Sequence, residues 1–136
     1  MAFKPRRIVL DSWAVMAYFK DEPSGIKVEE IIAHAQDART PLLMTTVNAG
    51  EIFYIFKRQG SEAEANQAIS DLLTLGIEFV SADWKLSREA ALLKAAHPIS
   101  FADCFSAALA KVENAFLVTG DEEFKLLEKE IKIIWV

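Results

Sequence analysis

The chain has 136 residues, 52% of them apolar before glycine is counted, and a formal net charge of −5. That length suits one domain, spanning residues 1–136, with a single sizeable core. The acid surplus argues against broad, non-specific nucleic-acid binding, although acidic metal ligands can mask a local basic rim and so leave a nuclease open. The longest unbroken apolar run, 13–19, is far too short to cross a bilayer. Only Ile8, Val9 and Leu10 separate the basic start from Asp11, so there is no signal-peptide core. One cysteine, Cys104, excludes a disulfide framework or a thiolate zinc site within the chain. A soluble, cytoplasmic protein is expected, and the apolar excess over an average composition points to a buried partner surface, a dimer.

In chain order, residues 7–10 predict a short apolar strand ending at Asp11, with Ser12 capping a helix that runs to Phe19. A second helix is predicted over 24–37, a strand over 42–44, and a helix opened by Thr45 or Thr46 and continuing to Arg58. Ser61 begins another helix that ends near Gly76. Residues 77–80 read as a strand, and Asp83 caps a helix to Ala96. Ser100 then caps an apolar-periodic helix ended by Asn114, residues 115–118 form a buried strand, and 131–136 form the last one. Strands alternating with helices imply a parallel sheet covered on both faces. The breaks between elements are short and leave no room for an interdomain linker.

Ligands of such a sheet gather at the C-terminal ends of its strands. Asp11 and Asp121 lie just past two strands, and Glu51 and Asp103 lie in the N-terminal turns of two helices. Each has an ordinary structural reading. Asp11 and Asp121 can be cap residues, and Asp103 can complete a capping box with Ser100. Glu51 is harder to explain that way. Its neighbours Val47, Ile52, Phe53, Ile55 and Phe56 make the helix apolar on nearly every face, so it should be largely buried, where an unpaired carboxylate is expensive. Asn48, one turn earlier, can hold it by hydrogen bonding. Four convergent acids repel, and a hard divalent cation, Mg²⁺ or Mn²⁺, resolves the conflict with oxygen ligands. Such an ion supports phosphoryl displacement.

The segments Ile8-Val9-Leu10-Asp11-Ser12, Asn48-Ala49-Gly50-Glu51, Ser100-Phe101-Ala102-Asp103 and Val118-Thr119-Gly120-Asp121-Glu122-Glu123-Phe124 stand in an order and spacing that resembles the PIN-domain ribonucleases. The likeness is nearest to the toxins of VapBC-type toxin–antitoxin modules. It implies an α/β fold, a three-layer α/β/α sandwich with a central parallel five-strand sheet, and a Mg²⁺-dependent endoribonuclease acting on RNA. It also implies a homodimer and inhibition by a cognate antitoxin whose C-terminal segment covers the acids. Residue by residue, the resemblance makes Asp11, Glu51, Asp103 and Asp121 the metal-site acids, and Ser12, Asn48 and Thr119 their polar supports.

Other chemistries fit less well. His34 and His97 adjoin no acid motif and read as surface or cap residues. Cys104 turns about 100° away from Asp103 around the helix and reads as core. Lys57 with Arg58, and Lys85 with Arg88, read as solvated helix faces, while Lys4, Arg6 and Arg7 should lie at the sheet edge opposite the acids. Two other functions share the pattern: a non-catalytic PIN-like scaffold, and a phosphoacceptor signalling domain. The second needs a lysine at a late strand end, and none follows Val118 directly.

Overall fold

The computed structural model describes residues 5–136. Lys4 therefore lies outside the described residues. The opening strand β1 (Ile8–Leu10) leads into α1 (Ser12–Phe19) and α2 (Pro23–Ala38). Then come β2 (Leu42–Thr45), α3 (Thr46–Gln59), α4 (Glu62–Thr74) and β3 (Ile77–Val80). The second half runs α5 (Trp84–Ala96), α6 (Phe101–Val112), β4 (Phe116–Thr119), a 3₁₀ helix (Glu122–Leu127) and β5 (Lys132–Trp135).

All strand pairs are parallel, and the five-stranded sheet has the order β3-β2-β1-β4-β5. Strand β1 sits at the centre, with Val9 opposite both Leu43 and Leu117. All three of its residues are buried, as expected of a strand covered on both faces. The side-chain alternation of each strand then feeds two separate cores. Val9, Leu43 and Leu117 pack with α5, α6 and Phe124 on one face. Ile8, Leu10, Met44 and Val118 pack with α1 to α4 on the other. The result is the three-layer α/β/α sandwich anticipated above.

The chain places β1, β2 and β3 outward in one direction and then returns to set β4 on the other side of β1. This reversal opens a crevice at the C-terminal ends of β1 and β4. Asp11 follows the first of those strands, Thr119 ends the second, and Asp121 lies just past it.

Two local expectations change. Asp11, not Ser12, caps α1: its backbone is extended, and its Oδ1 accepts the Ala14 N–H at 2.8 Å. Ser12 becomes the first helical residue, and its hydroxyl is released for another partner. Helix α3 is also less enclosed than its composition suggested. Asn48, Ala49 and Ile52 are buried, whereas Tyr54 is 46% exposed and stacks its ring beneath the Arg58 guanidinium. Arg7 pairs with Glu113, which lies before β4, and so stands at the edge opposite the acids.

Candidate metal centre

Asp11 is 1% exposed at the end of the central strand. Besides the Ala14 N–H, it accepts a hydrogen bond at 2.5 Å from the Thr119 hydroxyl to Oδ2. Thr119 in turn accepts the Asp121 N–H at 3.0 Å. One buried hydroxyl thus ties the two strand ends together across the crevice. Asp121 caps the following 3₁₀ helix by accepting the Glu123 N–H at 3.0 Å. Gly120, between them, is required by packing: a Cβ there would lie 2.2 Å from Cη2 of Trp13.

Glu51 is held from α1 and from its own helix. The Ser12 hydroxyl donates to its Oε1, and Asn48 Nδ2 donates to the same oxygen at 3.0 Å. Asn48 is fully buried and also donates to the Ala102 carbonyl at 3.2 Å, which joins α3 to the first turn of α6. Asp103 sits in that turn. Ser100 caps the helix by accepting the Asp103 N–H at 3.1 Å.

The acids converge. Among the described residues, Asp103, Asp121 and Glu123 each offer a carboxylate oxygen within 4.8 Å of the other two. Glu51, Asp103 and Asp121, with Ser12, Trp13 and Ser100, line one cleft of about 350 Å³. Asp11 lies behind them and feels the charges of Asp103 and Asp121, while Asp103 feels those of Asp121, Glu51 and Glu123. Of the four acids singled out in the sequence, Glu51, Asp103 and Asp121 line the cleft, and Asp11 is buried behind it. The tightest trio, however, includes Glu123 and leaves Asp11 and Glu51 at its margins.

Burial raises the Asp11 carboxyl from 3.8 to about 7, against the lowering effect of its hydrogen bonds from Thr119 and Ala14, with Asp103 and Asp121 raising it further. Burial likewise pushes Asp103 up to about 6. The Ser100 hydrogen bond opposes that rise, and the neighbouring acids Asp121, Glu51 and Glu123 add to it. Desolvation and like charge both favour the neutral acid. A cation removes the conflict. An all-oxygen trio of this spacing suits a hard divalent ion that keeps several waters.

Among the described residues, no histidine or cysteine lines the cleft. His34 is exposed, and His97 caps α5 and pairs with Glu130 at 2.7 Å. Cys104 is buried in the core. Three contributors were not singled out from the sequence: Glu123, Ser106 and the side chain of Thr45. Glu123 sits in an acidic turn that reads as a helix start. Ser106 is the one polar residue among the buried positions 104–110 of α6, and its Oγ donates to Asn48 Oδ1 at 2.8 Å. That lone hydroxyl in an apolar helix was the available signal.

Residues 8–130 match the family model of the PIN domain. The chain belongs to the PIN domain family. Its fold is that of solved structures with low sequence identity. The DNA-bound VapBC of Salmonella typhimurium aligns with a TM-score of 0.76 and 15% identity, over 94% of this chain and 96% of that one. VapBC2 of Rickettsia felis, bound to a fragment of its promoter, gives 0.72 and 19%, over 95% and 98%. The Mycobacterium tuberculosis VapC20 toxin, which cleaves the sarcin–ricin loop, gives 0.67 and 16%, over 88% and 93%. Comparison with the curated proteins finds no match.

Proposed function

We propose that this single-domain chain is a Mg²⁺- or Mn²⁺-dependent endoribonuclease, the toxin of a VapBC-type toxin–antitoxin pair, working in the cytoplasm. The observation that carries the reading is the convergence of Asp103, Asp121 and Glu123 beside Asp11 and Glu51 at the switch point of a PIN sheet. Asp103, Asp121 and Glu123 would hold the cation, with Asp11 and Glu51 completing the acidic shell. Bound there, the ion supplies charge stabilisation for the phosphodiester under attack.

The chain's own residues do the positioning. Thr119 fixes the Asp11 carboxylate and, through the Asp121 N–H, the turn that carries Asp121. Ser12 and Asn48 aim Glu51. Without a cation, Asp11 and Asp103 relieve the crowding by holding protons close to neutral pH. A bound cation would favour the ionised forms of both. Hydrolysis then proceeds by attack of water on phosphorus and cleavage of one P–O bond, with no covalent enzyme intermediate.

A basic antitoxin segment bearing arginine suits the same cleft, because a guanidinium pairs bidentately with carboxylates. The neighbouring VapBC structures are toxin–antitoxin assemblies and support that partner. Trp84, Leu92 and Phe101 are 74%, 51% and 48% exposed on the α5 and α6 layer and offer apolar area for the homodimer.

The deciding experiment is cleavage of single-stranded RNA by the purified chain with Mg²⁺, with EDTA, and as Asp103→Asn. Cleavage is expected only for the wild type with metal, and Asp103→Asn should lose several orders of magnitude with its fold intact. A folded Asp103→Asn protein cleaving at the wild-type rate sinks the assignment. A metal-loaded wild type that binds RNA without cutting it selects the scaffold reading.

A further inference from the structure

We infer that Ser106 is a positioning residue that acts through Asn48 to hold Glu51 in the acidic cluster and to fix α3 against α6. The inference rests on the metal-site half of the function proposed above. Ser106 is fully buried, and it lies on α6 three residues after Asp103. A serine inside a helix ordinarily turns its hydroxyl to the carbonyl four residues back. That carbonyl, Ala102 O, is instead taken by Asn48 Nδ2 at 3.2 Å, and Ser106 donates across the helix interface to Asn48 Oδ1 at 2.8 Å.

Thr45 adds a second hydroxyl donor to the same oxygen while accepting the Asn48 N–H at 3.0 Å. These bonds fix which end of the amide is which. A flipped Asn48 would set its oxygen against both the Ala102 carbonyl and the Glu51 carboxylate. The amide nitrogen is therefore committed to Glu51 Oε1, the oxygen that also receives Ser12. Both donors end on Oε1, so the second carboxylate oxygen remains available to a ligand. The exchange of bonds between Ser106, Asn48 and Ala102 simultaneously sets the separation of the helices carrying Glu51 and Asp103. No buried side-chain polar atom among the described residues lacks a partner, so the network has no slack to absorb the loss of one member.

The test is a Mn²⁺ titration followed by electron paramagnetic resonance on the full chain, comparing wild type, Ser106→Ala, Glu51→Gln and the double variant. Loss of an outer hydrogen-bond partner typically weakens a metal site by 10–100-fold. Ser106→Ala should bind Mn²⁺ about tenfold more weakly with an unchanged near-UV spectrum, and it should add nothing in the Glu51→Gln background. Binding within about twofold of wild type overturns the inference. So does an equal loss in both backgrounds, which would make Ser106 a stability residue alone. A wild type that binds no Mn²⁺ overturns both this inference and the metal site. One that binds Mn²⁺ but cleaves no RNA refutes only the nuclease reading, and the binding cycle still decides Ser106.

Discussion

Replacing Asp11 by asparagine should stabilise the metal-free protein at neutral pH, although Asp11 is buried and fully hydrogen-bonded. In the folded state its carboxyl ionises near 7 rather than 3.8. At roughly 1.4 kcal/mol per pKa unit, that gap makes the ionised carboxylate a liability of about 4 kcal/mol. Asparagine keeps the Ala14 cap through its oxygen. Its nitrogen, however, cannot accept from Thr119, whose hydroxyl loses its acceptor at a cost of about 1–3 kcal/mol. A net gain of about 1–3 kcal/mol remains at pH 7.5. Because the folded-state value is raised, the native protein binds the proton more tightly than the unfolded chain between pH 4 and 7. Wild-type stability therefore falls as pH rises through that window, and the variant, which keeps only the raised Asp103, loses less. At pH 4 the order reverses, since only the Thr119 penalty is left. Urea denaturation in EDTA at pH 4 and pH 7.5 measures both limbs. Parallel stability curves for the two proteins, or a variant that is weaker at pH 7.5, would refute the reasoning.

Glu123→Gln should weaken Mn²⁺ binding by about tenfold or more and reduce RNA cleavage with it, since Glu123 completes the closest acid trio; unchanged binding by calorimetry would remove it from the site. Gly120→Ala should cost about 1–3 kcal/mol by forcing Trp13 from its place, read as a lower urea midpoint; an unshifted midpoint would mean that the ring moves freely. Mg²⁺ binding should release protons and weaken as pH falls below about 7, because Asp11 and Asp103 ionise in that range; calorimetry in buffers of different ionisation enthalpy detects the release, and identical heats in all of them would contradict it. Inhibition by a basic, arginine-bearing antitoxin segment should weaken in Glu51→Gln and Asp121→Asn; equal inhibition of both variants would place the footprint elsewhere.

Much of this protein was legible in its sequence because the signals are local. Apolar runs of strand length alternating with capped helices specify a parallel sheet, and caps such as Ser100, Ser61 and Asp83 are where the residue types put them. The acids just past strand ends and in the N-terminal halves of helices were equally readable, since a parallel sheet directs those positions to one edge. Tertiary structure decided what depends on distance between remote segments. The first helix could be capped by Asp11 or by Ser12, and the choice fell to Asp11 because Ser12 is drawn to Glu51, 39 residues away. Glu123 read as one more acid of a helix start, and only the approach of the β4 turn to α6 sets it beside Asp103. Ser106 bonds a partner 58 residues distant, so no periodicity marks it as more than a polar interruption. Folding also raised Asp11 and Asp103, through burial and convergent charge that no stretch of sequence contains. Residue type and spacing determine which groups reach the sheet edge, whereas the meeting of α3, α6 and the β4 turn determines which of them share a ligand.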